Sequence, residues 1–481
     1  MKFTIPPGVF DITPNNTQET WKSSYLWSHV EQIIRETARS YGFMEIRTPL
    51  FERTELFQRS VGEGSDIVSK EMYTFDDKGG RSLSLKPEGT APVIRAFIEN
   101  SLYASAQVQK LFYISPMFRY ERAQAGRYRQ HHQFGTEVIG HASAEQDAEL
   151  IDLLYTVYRR LGLKDLTLSI NSIGNEATRF AFKKALKEYL APHVDLLSPD
   201  SQVRLESNPL RILDSKDPRD QEIVAGAPSI LDFLDEESRQ HFDDLQHHLT
   251  SLNIPFKINH KLVRGLDYYN KAVFEIVAGE LGAQNSIGGG GRYDGLIHTM
   301  GGPDLPAVGF GTGIERIIQT MINQNVPLPS IEHPVLFIAA LGEDAKDVSF
   351  KLLHQLRQKN IPAQMDFSNR KLGKILQYAD QIQATYTTVI GEHEIAAQEV
   401  ELKEMKTGNK IKMKLADLPQ ALKWEIQSPS TIKLMEELST PFESPGESQL
   451  IFNKLKTSLG ETQRMVEHFH HNLEQLKKAE E

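Results

Sequence analysis

The chain has 481 residues, 25% of them charged, a formal net charge of -10 and no cysteine. That excludes disulfides and thiolate metal sites; no apolar run approaches the roughly 20 residues that span a bilayer, and the opening MKFTIPPGVFDITP lacks the apolar core of a secretory leader. At about 150 residues per domain the length predicts two to four domains, and the acidic total argues against a general nucleic-acid binder.

Apolar residues at Leu26, Val30, Ile33, Ile34 and Ala38 predict a helix over 21–39, closed at Tyr41-Gly42. FMEIRTPLFE follows as a strand, and Pro49 inside it predicts an edge or interface position, since proline cannot donate to a ladder. LKPEGTAP (85–92) sets the Glu88 carboxylate and the Thr90 hydroxyl at a turn opening onto a helix. Thr90 suits a helix cap, and Glu88 suits a ligand ammonium. KLFYISPMFRYE and RQHHQFGTEVIG predict a long hairpin around RAQAGRY. Alternation puts Arg119 and Glu121 on one face of its first strand, and Arg129, His131, Gln133, Gly135 and Glu137 on one face of its second. That face is too polar for a core and suits a polar ligand. Adjacent His131 and His132 point to opposite faces, so no shared metal site is expected there.

Residues 145–161 are helical by period, and from about 172 to 259 the texture turns helical, polar and charged, as an insertion. LVRGLDYY (262–269) then sets a lone arginine beside paired tyrosines, either for an ion pair or for an anionic ligand. AVFEIVAG returns to strand. GGGG (288–291) is either a flexible turn or a backbone that a substrate can approach more closely than any Cβ permits. No Lys-Ser/Thr follows it, so it is not a Walker loop. AVGFGTGIERIIQTM is a strand entering a helix, with Arg316 in first turns that favour anions; a cation there has a salt bridge or a task. VPLPSIEHP has linker texture. Beyond it, VLFIAAL, a helix, IPAQMDF, a helix and YTTVIGE predict a separate α/β domain with a mostly parallel sheet. Three runs oppose the acidic total: FRYERAQAGRYR, with four arginines against one glutamate, SNRKLGK, with three cations, and KEMKTGNKIKMK, with five lysines against one glutamate. Together they favour a polyanionic partner. In the tail, Ile451, Leu455, Leu459, Val466, Phe469, Leu473 and Leu476 form a helical seam that needs a surface to pack on. His468 and His471 on the same stretch suit a solvated face better than a metal.

These parts together resemble a known family. FRYE, the hairpin loop and GIER are similar to motifs two and three of the class II aminoacyl-tRNA synthetases, and the helix and strand ending at Pro49 to motif one, which builds the dimer interface in that class. PEGTAPVIRAF, GRYRQHHQFGTEVIG, LVRGLDYY and GGGGRYDG resemble the histidyl-tRNA synthetases. HPVLFIAALGEDA through DFSNRKLGKILQYADQ resembles that family's anticodon-binding domain, so the likeness spans about residues 7–418. It implies an α+β catalytic domain, an antiparallel sheet flanked by helices, in two parts (1–171 with motifs one and two, 259–326 with motif three). A helical insertion (172–258) separates the parts; an α/β anticodon-binding domain (333–418) and an extension (419–481) follow. It implies activation of L-histidine by ATP to histidyl-adenylate and pyrophosphate, then transfer to the 3′ end of its tRNA. Mg²⁺ would accompany ATP, without zinc, in a cytoplasmic homodimer with no membrane association.

By motif matching, the resemblance puts Arg264 on the α-phosphate and the histidine carboxylate, and Arg119 and Arg316 on the ATP phosphates. Glu88, Thr90 and Gln133 would hold the α-amino group and Glu137 the imidazole N–H, with Gly89 also binding the histidine and Tyr268, Tyr269 and Tyr293 walling the pocket. Glu121, Arg127 and His131 would complete the ATP site, and Arg122, Gln124 and Arg129 would reach the tRNA. His131 departs from the family pattern, which usually has a phenylalanine on adenine; an imidazole stacks with less area and a titrating charge. The alternative is a non-catalytic, synthetase-like regulatory subunit of ATP phosphoribosyltransferase, which lacks the anticodon domain and tolerates loss of the arginines. Retention of Arg119, Arg264, Arg316 and the C-terminal segment argues against it.

Overall fold

The structure is a computed structural model and describes residues 3–62, 65, 67–121, 127–266, 268–279, 286–368 and 370–427. Arg122, Gln124 and the tail seam lie outside these residues. Two compact units meet at Pro329 and Ser330 in the sequence.

In the first unit, α1 (Ser24–Ser40) turns Leu26, Trp27, Val30, Ile34 and Ala38 inward at three- and four-residue spacing. Gly42, at φ 79°, ends it in the left-handed conformation that costs glycine least. FMEIRTPLFE is not one strand. Met44–Glu45 (β1) joins the large sheet, whereas Phe51–Arg53 (β2) joins a three-stranded one, and Pro49 falls in the break between them. After α2 (Thr54–Val61), β3 (Thr74–Asp76) and β4 (Ser82–Leu85) complete the small sheet, and α3 (Thr90–Glu99) follows closely. The long hairpin forms from β5 (Gln109–Phe118) and β6 (Gln130–Ile139), with Ser115 opposite Gln133. Then come α4 (Ala144–Arg160), β7 (Leu166–Ser172) and the helices α5 (Glu176–Leu190), α6 (Pro199–Ser207), α7 (Pro218–Val224) and α8 (Glu236–Ser251). The unit closes with β8 (Phe256–Ile258), β9 (Asn270–Ala278), β10 (Ser286–Arg292), α9 (Leu296–Thr299), β11 (Ala307–Gly313) and α10 (Ile314–Asn323).

The large sheet runs β1-β5-β6-β11-β10-β9-β7-β8 and is antiparallel except at its two outer pairs. Leu26, Ile34, Leu150, Leu154, Leu245 and Ile317 from α1, α4, α8 and α10 pack with Phe134 and Ile276 of the sheet in one buried cluster. Each such side chain contributes roughly 2 kcal/mol of burial. Although α8 belongs to the inserted segment by sequence, its Phe242, Leu245 and Leu249 pack in this main core. Phe182, Leu186, Leu190 and Ile212 instead share a second cluster with Leu262, Val263, Tyr269 and Tyr293.

The second unit contains β12 (Leu336–Ala340), α11 (Glu343–Gln358), β13 (Ala363–Met365), α12 (Leu372–Gln381), β14 (Tyr386–Ile390), α13 (Glu392–Ala397), β15 (Glu399–Glu404), β16 (Lys410–Lys414) and α14 (Leu418–Gln427). Its sheet runs β13-β12-β14-β15-β16, parallel over the first three strands and antiparallel over the rest. The run KEMKTGNKIKMK is the β15–β16 hairpin. Leu418, Ala421 and Leu422 are fully buried in this unit's core, so its last helix extends beyond Leu418.

Candidate active site

Strand β6 builds the floor of a cavity of about 340 Å³. His131 and Gln133 project into it, as alternation requires, with Glu137 further along the same face. His132 turns away: its ring meets Trp27 edge-on at 4.9 Å, its N–H donates to Glu315 at 2.8 Å, and its Nδ1 lies 3.0 Å from the same oxygen. The long polar side chains can lie across β11 because glycines stand beneath them. A Cβ at Gly311 would come within 2.9 Å of Gln133 Cδ, and one at Gly309 within 2.9 Å of Glu137 Cδ. GGGG is not a turn; it is the buried middle of β10, registered against β9 and β11. Gly289 lines the cavity, and a Cβ on it would stand 2.9 Å from Arg264 Nη1. What comes close to that backbone is the arginine of LVRGLDYY.

One half of the site is made of carboxyls and phenols. Buried Glu88 accepts the N–H groups of Thr90 (2.6 Å) and Ala91 (2.8 Å) and so caps α3. Thr90, predicted as the cap, is the first helical residue; its hydroxyl donates to Glu137 at 2.9 Å. Tyr293 donates to the other Glu137 oxygen. Burial holds the Glu137 carboxyl up at about 8 and raises that of Glu88 as well. Tyr268 lies 4.7 Å from Tyr269 and 5.5 Å from Tyr293, centroid to centroid. Burial pushes all three phenols above their usual value, so they stay protonated donors.

Sequence reasoning missed Tyr113. Its ring occupies the space that a Cβ at Gly89 or Gly135 would need, and Gln133 Nε2 donates to its hydroxyl at 3.5 Å. Gly89 therefore admits a tyrosine from β5. The signal was available, because Tyr113 lies an even number of residues before Arg119, on the same strand face. Glu315, beside Arg316 in GIER, was also passed over and lines the cavity.

The other half is cationic: Arg119, Arg127, Arg264 and Arg316 line it with Glu121 and His131. Arg119 Nε donates to the Pro87 carbonyl at 2.8 Å, and Arg316 Nη1 to that of Ser286 at 2.6 Å. Arg127 Nε lies 3.3 Å from Glu121, and Arg264 Nη1 3.5 Å from Glu275. Arg264 Nε is buried without a hydrogen-bond partner. Burial, and Arg127 beside it, draw the Arg316 pKa down, the mark of cations crowded together as a polyanion requires. His131 is pushed down to about 3, by burial and then by Arg119. It is neutral at physiological pH, so the titrating charge predicted for it does not arise. Arg129 is not among the lining residues. Its guanidinium carbon sits 4.2 Å from the centre of the Tyr120 ring and its Nε donates to the Glu121 carbonyl at 3.4 Å, contacts that turn it to the end of the neighbouring strand instead of into the cavity.

Among the described residues no cluster of three or more His, Asp or Glu side chains forms a metal site. Glu315 Oε2, buried and unpartnered, is one hard oxygen on the cavity wall. A Mg²⁺ ion carried mainly by nucleotide phosphates needs only one or two such carboxylates, so the residues present fit it.

Comparison with known proteins agrees with this architecture. The family model described as Histidyl-tRNA synthetase matches residues 22–317, and that described as Anticodon binding domain matches residues 336–425. The chain is 69% identical over 423 residues to the histidine–tRNA ligase of Protochlamydia amoebophila, a match covering 88% of this chain and 100% of that protein. With the histidine–tRNA ligase of Caldanaerobacter subterraneus it shares 46% identity over 418 residues, 87% of this chain and 99% of the other. The crystal structure of apo S. aureus histidyl-tRNA synthetase matches with a TM-score of 0.73 at 37% identity, over 88% of this chain and 100% of that one. On motifs, fold and full-length relatives alike, the chain belongs to the histidyl-tRNA synthetase family.

Proposed function

We propose that this single cavity binds L-histidine and ATP side by side and carries both steps of histidine–tRNA ligation. The chain is an ATP-dependent ligase that activates histidine and transfers it to its tRNA. The observation that carries the site assignment is the division of one cavity into a carboxyl–phenol half and an arginine half, with Arg264 lining it.

A histidine carboxylate oxygen attacks the α-phosphorus, and the bond to the departing pyrophosphate breaks. Arg264, with its planar fork and unpartnered Nε, holds carboxylate and phosphate together where a point charge would not. Arg119 and Arg316 offset charge that develops on the phosphoryl oxygens. Glu88, Thr90 and Gln133 receive the substrate ammonium, while Glu137 and the surrounding phenols receive the imidazole. Residues lacking those ring nitrogens leave buried polar groups unpaired and are rejected. Glu121 and His131 take the adenine side, and Arg127 the phosphates. Mg²⁺ bound with ATP, held by Glu315 and the phosphates, would neutralise charge on the leaving pyrophosphate. By motif matching, Arg122, Gln124 and Arg129 are the residues assigned to the tRNA.

Homodimerisation is supported by exposed Met44, Leu50, Phe51 and Phe75 (44–62% exposed), on β1, the small sheet and the segment between β1 and β2. Sedimentation velocity giving a monomer mass would refute it. ATP and tRNA as substrates support a cytoplasmic location, which subcellular fractionation tests. The regulatory-subunit alternative is not favoured, because the curated relatives matching at full length are histidine–tRNA ligases.

Histidine-dependent ATP–pyrophosphate exchange tests the assignment. Arg264→Ala should lower it by on the order of 10²–10³, and Arg264→Lys should restore little. Near-normal exchange in the alanine variant overturns the role of Arg264.

A further inference from the structure

The described residues of the stretch 262–269, which carries Arg264, form no helix or strand. Its guanidinium must therefore be held in place by ties from elsewhere. At the start of the stretch, buried Asn171 at the end of β7 donates from Nδ2 to the carbonyls of His260 (3.4 Å) and Leu262 (3.0 Å). At its end, Arg179 on α5 donates from Nη1 to the Tyr269 carbonyl at 2.5 Å. Between them, Arg211 in the 3₁₀ turn Pro209–Ile212 lays its guanidinium against Gly265, where a Cβ would stand 2.7 Å from Arg211 Nη1.

Leu262, Val263 and Tyr269 pack in the same buried cluster as Phe182, Leu186 and Ile212 of the inserted segment. A second cavity of about 320 Å³, lined by Arg179 and Arg211, shares Arg264, Leu266 and Tyr269 as a wall with the active-site cavity. Arg211 also lies 3.5 Å from Asp214, a carboxylate that feels Glu275, which itself stands 3.5 Å from Arg264. Asn171 before the arginine, and Arg179 and Arg211 of the inserted segment after it, thus hold the backbone on both sides of it.

We propose that Arg179 and Arg211 are positioning residues for amino-acid activation, bracing the stretch 262–269 so that Arg264 stays aimed at the reacting phosphate. This rests on the role assigned to Arg264 above. A displacement of about 1 Å in such a group can cost up to ~10²-fold in rate.

The test is histidine-dependent ATP–pyrophosphate exchange with the full chain carrying Arg211→Ala, Gly265→Ala or both, each with and without Arg264→Ala. Gly265 needs no positive φ, and its new Cβ would meet only the flexible end of Arg211, so this variant shifts the brace without rebuilding the backbone. It carries the test if Arg211→Ala does not fold. Each single variant should lower kcat about tenfold while KM for histidine and ATP stays within about twofold, the signature of an interaction felt in the transition state. Gly265→Ala should cost nothing more once Arg211 is alanine, and neither should cost more once Arg264 is alanine. Losses that multiply in the Arg264→Ala chain, or unchanged exchange in the single variants, overturn the brace and leave the role of Arg264 standing. Normal exchange in Arg264→Ala alone overturns both.

Discussion

Glu137 is a buried carboxyl raised from 4.5 to about 8, first by burial. Between those values the folded chain keeps a proton that the unfolded chain has released. Its contribution to stability is therefore complete below pH 4.5 and is lost as pH rises through about 8. Glu137→Gln removes that dependence. The variant's thermal midpoint should gain on the parent's from about pH 5 to about pH 8.5, while its KM for histidine rises roughly tenfold or more through loss of the carboxyl that meets the imidazole. A midpoint difference that does not change with pH defeats the assignment. His131 behaves in the opposite sense: held at about 3, it carries no charge near neutrality. Replacing it with phenylalanine should keep or tighten ATP binding, and His131→Ala should weaken it by about 1 kcal/mol. An unchanged KM for ATP in both variants would separate the ring from the base. At this scale the sequence identifies residue types well and their partners poorly. LKPEGTAP shows a carboxylate and a hydroxyl beside a helix start, but only the fold shows that Glu88 caps α3 while Thr90 turns to Glu137.

Helices and strands with a full side-chain pattern were legible, among them α1, α4 and the β5–β6 hairpin. GGGG was not, since a run without side chains has no period, and its strand state is imposed by β9 and β11 on either side. The β15–β16 hairpin was hidden by its lysines, although Ile411 and Met413 alternate with Lys410, Lys412 and Lys414 as a strand with one packed face requires. Bare glycine positions in β11 have a use that can be measured. A Cβ at Gly311 would meet only the side chain of Gln133 among its nearest neighbours, so Gly311→Ala should displace that amide. KM for histidine should then rise about tenfold, as for a lost polar contact, with a fall in thermal midpoint of only a few degrees. An unaltered KM would show that Gln133 does not hold the substrate.

For the whole molecule, the matches to the full-length relatives cover 87–88% of this chain and 99–100% of theirs, which leaves room for a tail they do not share. A chain ending at Gln427 should keep exchange within a few-fold of the full protein. One ending at Leu418 should lose the second unit's unfolding transition, because truncation removes buried Ala421 and Leu422 at about 1.5–3 kcal/mol for the larger side chain alone. Calorimetry and exchange on the two truncations decide it; loss of adenylate formation in the Gln427 chain would make the tail part of the active machinery. The order of strands in the large sheet also bears on how the protein is born. β6 is bonded on one side by β5, its predecessor, and on the other by β11, which ends at Gly313. A ribosome delivers these strands in sequence, so β6 waits with one open edge, and Phe134 and Val138 waiting for their partners, until Gly313 has emerged. Glu137 likewise waits for Tyr293. Open apolar edges recruit strands from neighbouring chains, so chaperones guarding this protein have most to do while the sheet still lacks its middle.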